Sequence, residues 1–347
     1  MANQVDSAPN LNLPPSQHVV DVSVINSTAN IRGPLEVFVK DPLVGHETLE
    51  CPSFVFLVQH PSGKKVLFDL GLRKDKEGFP PLIREGMAAF DMKAEKDVAQ
   101  ILQEDGKLSL DEIDSIIWSH WHSDHIGDPS TFPSNVELVV GPGFKKAFLP
   151  GYPANPYGVI LESDYALANF APLTFFGDGS FYLLDAPGHA VGHLCGLART
   201  TPSTFILMGA DGCHHCGSLR PNKHLPLPDQ VSPSPFSIPP HLQGSICPGS
   251  LLKAIHPRRS STEPYYSHLH QAYGRDVAEA EATIHKMIDF DANEDVFVVI
   301  AHDKSLLDVI DFFPKSANEW KVKGWKETGR WRFLEDFKEA VAKSNVA

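Results

Sequence analysis

The sequence predicts an α/β fold on three observations: apolar runs of strand length that end in an acid or a histidine, a strand pair around a Pro/Gly turn, and longer segments with helical apolar spacing. Residues 54–58 and 65–69 flank His60-Pro-Ser-Gly63 and read as a β-hairpin that begins the first sheet. Residues 94–102 have the apolar spacing of a helix, and residues 110–118 lead through a short strand into Ser119-His-Trp-His-Ser-Asp-His-Ile-Gly-Asp128. Further strands are expected at 136–140, 181–184, 205–208 and 296–300, and helices at 267–290 and 329–343. No repeat of solenoid length is present.

The segment after residue 118 carries the chemistry. His120, His122, Asp124 and His125 stand at H-x-H-x-D-H spacing, which can hold two metal ions if a bend turns alternate side chains into one cavity. Imidazole and carboxylate donors suit zinc, with iron or manganese as alternatives. A two-metal site needs about three more ligands, and the chain offers them. His189 follows the run 181–184 in Asp185-Ala-Pro-Gly-His-Ala-Val-Gly-His193, Asp211 ends the run 205–210, and His302 follows the run 296–301. Each lies at the C-terminal end of a strand-like run, where open sheets place their binding sites.

These motifs, in this order, resemble the metallo-β-lactamase fold superfamily over roughly residues 51–305. The resemblance implies an αββα sandwich in one domain, residues 1–347, with a Pro-rich insertion at 221–264 and a C-terminal helical segment at 306–347. It implies that His120, His122 and His189 bind one ion, that Asp124, His125 and His302 bind the other, and that Asp211 bridges two zinc ions. A complete set with a bridging Asp looks like homoserine-lactone lactonases, glyoxalase II and fungal-type lactone or lactam hydrolases. Several true β-lactamases place a Cys at the bridging position. Asp69-Leu-Gly71 resembles the family's strand-end Asp, which orients metal ligands from behind; a turn-forming Asp is the alternative. The lactonases also carry a Tyr three residues after the bridging Asp, which helps polarise the substrate carbonyl. Here that position is His214, so that either His214 or His215 takes over the hydrogen bond or both are solvent-facing loop histidines.

Composition narrows the partners. A net charge of −13 opposes phosphate backbones and anionic membranes, so the expected partner is a small-molecule substrate, with neither nucleic acid nor membrane. A homodimer is admissible, and nothing in the sequence fixes the oligomeric state. The polar N-terminal segment lacks a secretory core, no stretch reaches membrane-span length, and five cysteines form no disulfide framework, so a cytoplasmic location is expected. Cys213-His-His-Cys216 lacks the second Cys pair of a structural zinc site and reads as the loop leaving Asp211 toward the cavity mouth.

The insertion is expected to face the substrate, with a surface wrap as the alternative, and Phe144, Phe148, Tyr152 and Tyr157 offer a second wall or pack their own loop. The expected reaction is hydrolysis of a small lactone or related lactam by a metal hydroxide, with Asp124 carrying the proton and His214 as the further catalytic candidate. A thioesterase acting on polyketide or glutathione-type acyl thioesters is the runner-up. An iron-dependent oxidoreductase of the same fold is disfavoured, because its diiron branch commonly has Glu where His122 stands.

Overall fold

The chain opens with β1 (Asp21–Asn26), β2 (Ala29–Pro34), β3 (Thr48–Cys51), β4 (Phe54–Gln59) and β5 (Lys65–Phe68), in a computed structural model that describes residues 6–164, 168–170, 174–236 and 246–344. Next come α1 (Pro81–Met87), β6 (Asp91–Ala94), α2 (Val98–Asp105), β7 (Ser115–Ile117), α3 (Ser123–Ile126), β8 (Glu137–Val140), α4 (Phe144–Phe148) and β9 (Ala168–Phe170). One sheet has the order β1-β4-β5-β7-β8-β9, antiparallel at β1-β4-β5 and parallel beyond. A second follows from β10 (Phe181–Asp185), β11 (Leu194–Arg199), β12 (Phe205–Ala210) and β15 (Val296–Ile300), in that order. Between the last two lie the short pair β13 (Gln230–Val231) and β14 (Cys247–Pro248), α5 (Gly249–Ile255) and α6 (Val277–Ala292); α7 (Trp325–Gly329) and α8 (Lys338–Lys343) close the chain.

The strand sequences explain the sandwich. Along β4, Phe54, Phe56 and Val58 point into one apolar core while Val55 and Leu57 point into another; Ile206 and Met208 on β12, and Phe297 and Val299 on β15, alternate in the same way with Phe205, Leu207, Val296 and Val298. Successive side chains leave a strand on opposite faces, so a strand apolar at every position is covered on both. One core is the seam between the sheets; the other is the helical cover. The arrangement is the αββα sandwich. β5 and β7 run parallel, as do β12 and β15, and β10 shares their direction through antiparallel β11, so the chemistry-bearing strand ends can meet at one rim.

Several expectations shift. The helix predicted over 94–102 is α2, Val98–Asp105, because Ala94 completes β6. The one predicted over 267–290 begins only at Val277, where Asp276 accepts the Glu279 N–H at 3.0 Å as an N-cap. Before it, Gly274 has φ +58 and a Cβ there would lie 2.5 Å from the His189 carbonyl, so the stretch stays irregular. The C-terminal segment is α7, a 3-10 turn at Arg332–Phe337, and α8. From α7, buried Lys326 donates to the carbonyls of Asp291 (2.8 Å), Asn293 (2.5 Å) and Val296 (2.7 Å), satisfying the C-terminal end of α6. The small third sheet, in the order β3-β2-β6, was not foreseen. Among the described residues, no helix is long and apolar enough to cross a membrane.

Candidate metal centre

The H-x-H-x-D-H loop is held from behind. Fully buried Trp118 donates its indole N–H to the Ile126 carbonyl at 3.1 Å, closing the loop over its own ring. The Leu70 N–H donates to the His125 carbonyl (2.7 Å), and the Ser53 hydroxyl donates to the Asp124 carbonyl (2.6 Å). Gly127, at φ +50, lets the loop return against β5's extension, since a Cβ there would lie 2.4 Å from Leu70 Cβ. The turn carrying His189 presses on α6: Gly188 has φ +114, and a Cβ there would lie 2.0 Å from the Ala280 nitrogen.

The other six predicted ligand side chains converge on Asp211. Its Oδ2 lies 3.4 Å from His120 Nε2 and 3.3 Å from His189 Nε2, and its Oδ1 lies 3.0 Å from both His125 Nε2 and His302 Nε2. His122 joins the first group through Nδ1, 2.9 Å from His189 Nε2, and Asp124 Oδ2 joins the second, 3.5 Å from His302 Nε2. Two of the sets whose donor atoms lie within 4.8 Å of one another are His120, His122, His189 and Asp211, and Asp124, His125 and His302. The two oxygens of Asp211 therefore face two different groups of donors.

Proton placement suits cations. His125 Nδ1 donates to Asp69 Oδ2 at 2.8 Å, and His302 Nδ1 donates to the Pro52 carbonyl at 2.7 Å, so in both rings Nε2 is the nitrogen left to face the carboxylate, where it holds a proton or gives its lone pair to a cation. Asp69 also accepts the Ser119 N–H (2.7 Å) and hydroxyl (2.8 Å), which gives it the orienting position expected of it and not that of a turn former alone. Buried His125 Nε2 and Asp211 Oδ1 have no hydrogen-bond partner although they are 3.0 Å apart. A ring nitrogen and a carboxylate oxygen that face each other without a hydrogen bond in a dry site are what a divalent ion would satisfy, and the donor set fits zinc-type ions.

The same field acts on protons. Burial alone would depress His125, but the carboxylates of Asp211, Asp69 and Asp124 push it up to about 10. Burial would raise Asp211, yet the facing His125, His214 and His302 hold it well below the usual carboxylate range. His120 and His122 are driven well down by burial and by their neighbouring histidines, and burial lowers His214 to about 4.

Above this floor lies a cavity of about 370 Å³. Its wall comes from the small sheet (Ile31, Leu49, Met92), the turn at Val37 and Phe38, and α1 with the segment after it (Leu82, Met87, Phe90), facing Trp121 and Val159. The expected wall-builders are elsewhere. No described residue of 221–264 lines the cavity; Leu227, Val231 and Leu252 are anchored in the core, so the insertion wraps the domain, while 237–245 lie outside the described residues. Phe144 is buried under Trp118, Phe148 packs on Trp121, and Tyr157 is 80% exposed. His214 and His215 are both buried, which removes the solvent-facing alternative: His214 lines the cavity, whereas His215 turns away to Asp336 at 3.2 Å. Two residues near Asp211 were missed. His193 accepts the Asp211 N–H at 3.2 Å and donates to the Ala186 carbonyl at 2.9 Å, and Tyr273 donates to the Asp211 carbonyl at 3.2 Å. The second half of Pro-Gly-His-x-x-Gly-His could have signalled His193; nothing local signals Tyr273.

Comparison with known proteins agrees with this geometry. Residues 48–199 match the metallo-beta-lactamase superfamily model. The chain is 39% identical to the gamma-lactamase FDB1 of Fusarium pseudograminearum, over 94% of this chain and 84% of that protein. It is 41% identical to the metallo-hydrolase mfmC of Annulohypoxylon moriforme, over 96% and 91%. Among solved structures, a quorum-quenching N-acyl homoserine lactone hydrolase superimposes with a TM-score of 0.58 over 87% of this chain and 99% of its own, at 16% identity. With two covered sheets and a rim that gathers H-x-H-x-D-H, His189, Asp211 and His302, the chain belongs to the metallo-beta-lactamase superfamily and is a hydrolase of that family.

Proposed function

We propose that this protein hydrolyses a small, uncharged lactone or lactam, opening its ring at a centre of two divalent ions, zinc first among them. His120, His122 and His189 would hold one ion, Asp124, His125 and His302 the other, and Asp211 would stand between them. When bound, such ions supply Lewis acidity and acidify water, so that hydroxide is available near neutral pH. The chain's own residues do the rest. Trp121 and the small-sheet wall hold the ring over the floor and keep bulk water out. Asp124, which borders both the cavity and His302, passes the attacking water's proton to the ring oxygen or nitrogen as the bond from the carbonyl carbon to that atom breaks.

One observation carries this reading: a metal-ligand floor under an apolar wall in which no lysine or arginine appears among the described lining residues. A carboxylate or phosphate on the part of the substrate that lies along the wall would meet no side-chain counter-charge. Relatives named gamma-lactamase and N-acyl homoserine lactone hydrolase support a cyclic acyl substrate. The test is mass spectrometry after incubating zinc-loaded protein with lactones, lactams and acyl thioesters. A single product heavier by one water supports ring opening; an acid with a free thiol moves the protein to the thioesterases.

The wall makes a prediction of its own. Gly86 lies inside α1 and on the cavity's lip, and a Cβ there would meet nothing within 4 Å. Glycine inside a helix costs up to about 1 kcal/mol relative to alanine, so its presence leaves room for a substrate at the expense of the helix. Gly86→Leu is expected to keep or raise thermal stability while lowering kcat/KM for substrates with long apolar substituents and sparing compact rings. Equal kinetics across a substituent series would place the substrate elsewhere.

A further inference from the structure

We infer that His214 is itself a metal donor, an eighth ligand joining Asp211 and His302 through Nε2; this rests on the two-ion reading above. Asp211, His214 and His302 offer three buried donor atoms within 4.8 Å of one another. His214 Nε2 is 3.0 Å from Asp211 Oδ2.

The hydrogen-bond pattern separates ligands from bystanders. The Tyr273 hydroxyl donates to the Asp211 carbonyl at 3.2 Å, and the same phenol oxygen lies 3.2 Å from His214 Nδ1. With its one proton on the carbonyl, that oxygen accepts from the imidazole. His214 therefore carries its hydrogen on Nδ1 and a lone pair on Nε2, aimed at a carboxylate oxygen. Its Nδ1–H is committed in the same way as that of His125, which rests on Asp69, and that of His302, which rests on the Pro52 carbonyl, leaving Nε2 to face Asp211 in all three rings. The neighbouring histidines differ. His193 spends its Nε2 lone pair on the Asp211 N–H, and His215 spends its Nδ1 lone pair on the Gly217 N–H, leaving its Nε2–H for Asp336. Neither has a free lone pair facing Asp211. Phe38 fixes the plane of His214, stacked at 4.1 Å and 22° between ring planes. Two acceptors held 3.0 Å apart in a buried site repel unless a cation lies against both.

The consequence is a centre richer in nitrogen than its seven-ligand description. Cobalt(II) reports this directly, because its visible absorption depends on coordination number and donor type. The holoprotein is reconstituted with cobalt as wild type, His214→Ala, His214→Tyr and Tyr273→Phe, with far-UV circular dichroism to check folding. The expected result is that both His214 variants change the visible band and lose affinity for one of the two ions by more than the roughly 10–100-fold typical of an outer partner. Added free imidazole should restore the band in His214→Ala, and Tyr273→Phe should weaken affinity less than either His214 variant. Wild-type spectra and affinities in both folded His214 variants, with only turnover reduced, would overturn the inference and leave His214 a hydrogen-bond donor to the substrate. A wild-type protein that takes up no cobalt would instead overturn the two-ion reading beneath it.

Discussion

Asp211→Ala is expected to lower the metal content below that of the wild type and to abolish hydrolysis in the same preparation. Five imidazole Nε2 atoms lie within 3.4 Å of this one carboxylate, which makes it the group that touches both sets of ligands. Removing it leaves buried donor groups turned toward one another with no anion between them. The loss in turnover should exceed the roughly 10–100-fold that follows from losing an outer partner of a ligand. Inductively coupled plasma mass spectrometry read beside a rate assay decides the matter. Two ions retained with wild-type turnover would remove Asp211 from the bridging position.

The largest effect on stability is expected at Arg220→Ala. Burial would depress Arg220 and raise Asp291, but the pair shifts both the other way: Nε reaches Oδ2 at 2.7 Å and Nη2 reaches Oδ1 at 2.5 Å, while Nη1 donates to the Arg330 carbonyl at 2.7 Å. Breaking one side of such a pair strands a buried charge and costs about 3–5 kcal/mol. Urea denaturation should show that loss for Arg220→Ala, and Arg220→Met with Asp291→Leu should recover most of it, because apolar replacement removes both charges together. A double variant as unstable as the single one would mean that the Arg330 carbonyl, not Asp291, is the partner that matters. Arg220 also ties the loop bearing His214 to α6, so the single variant should bind metal more weakly even where it remains folded.

The floor of the site was legible in the sequence and its wall was not, for a physical reason. His120 to His125 lie within one loop, and His189, Asp211 and His302 each follow a run apolar at nearly every position, so spacing and strand ends expose them. The wall depends on contacts between distant segments. Phe38 meets His214, and Tyr273 meets Asp211, across gaps that no local pattern records. Tyr273 lies in the stretch predicted as helix, and the departure from helix at Gly274 is what brings its hydroxyl to the Asp211 carbonyl. β2, β3 and β6 are short and partly polar, with Gly33 and Pro34 inside β2, so neither periodicity nor propensity announces them. β11 was passed over because it is a buried strand of small residues, Leu-Cys-Gly-Leu-Ala-Arg, whose Gly196 leaves room for Met208 and Phe181. The prolines of the insertion fitted either a substrate-facing segment or a surface wrap; its described residues are mostly exposed or half-buried, with a few, such as Leu227 and Leu252, anchored in the core.

The third sheet and α1 supply most of the wall, and they lie within residues 29–94, on either side of the β4–β5 hairpin and the segment that follows it. The catalytic floor descends from other strands. Reaction and repertoire are thus written largely in separate passages of the chain, with Trp121 and Phe38 belonging to both. A lineage, or a laboratory library confined to residues 29–51 and 81–94 and sparing Phe38, can retool which molecules are accepted while the His/Asp floor is inherited intact.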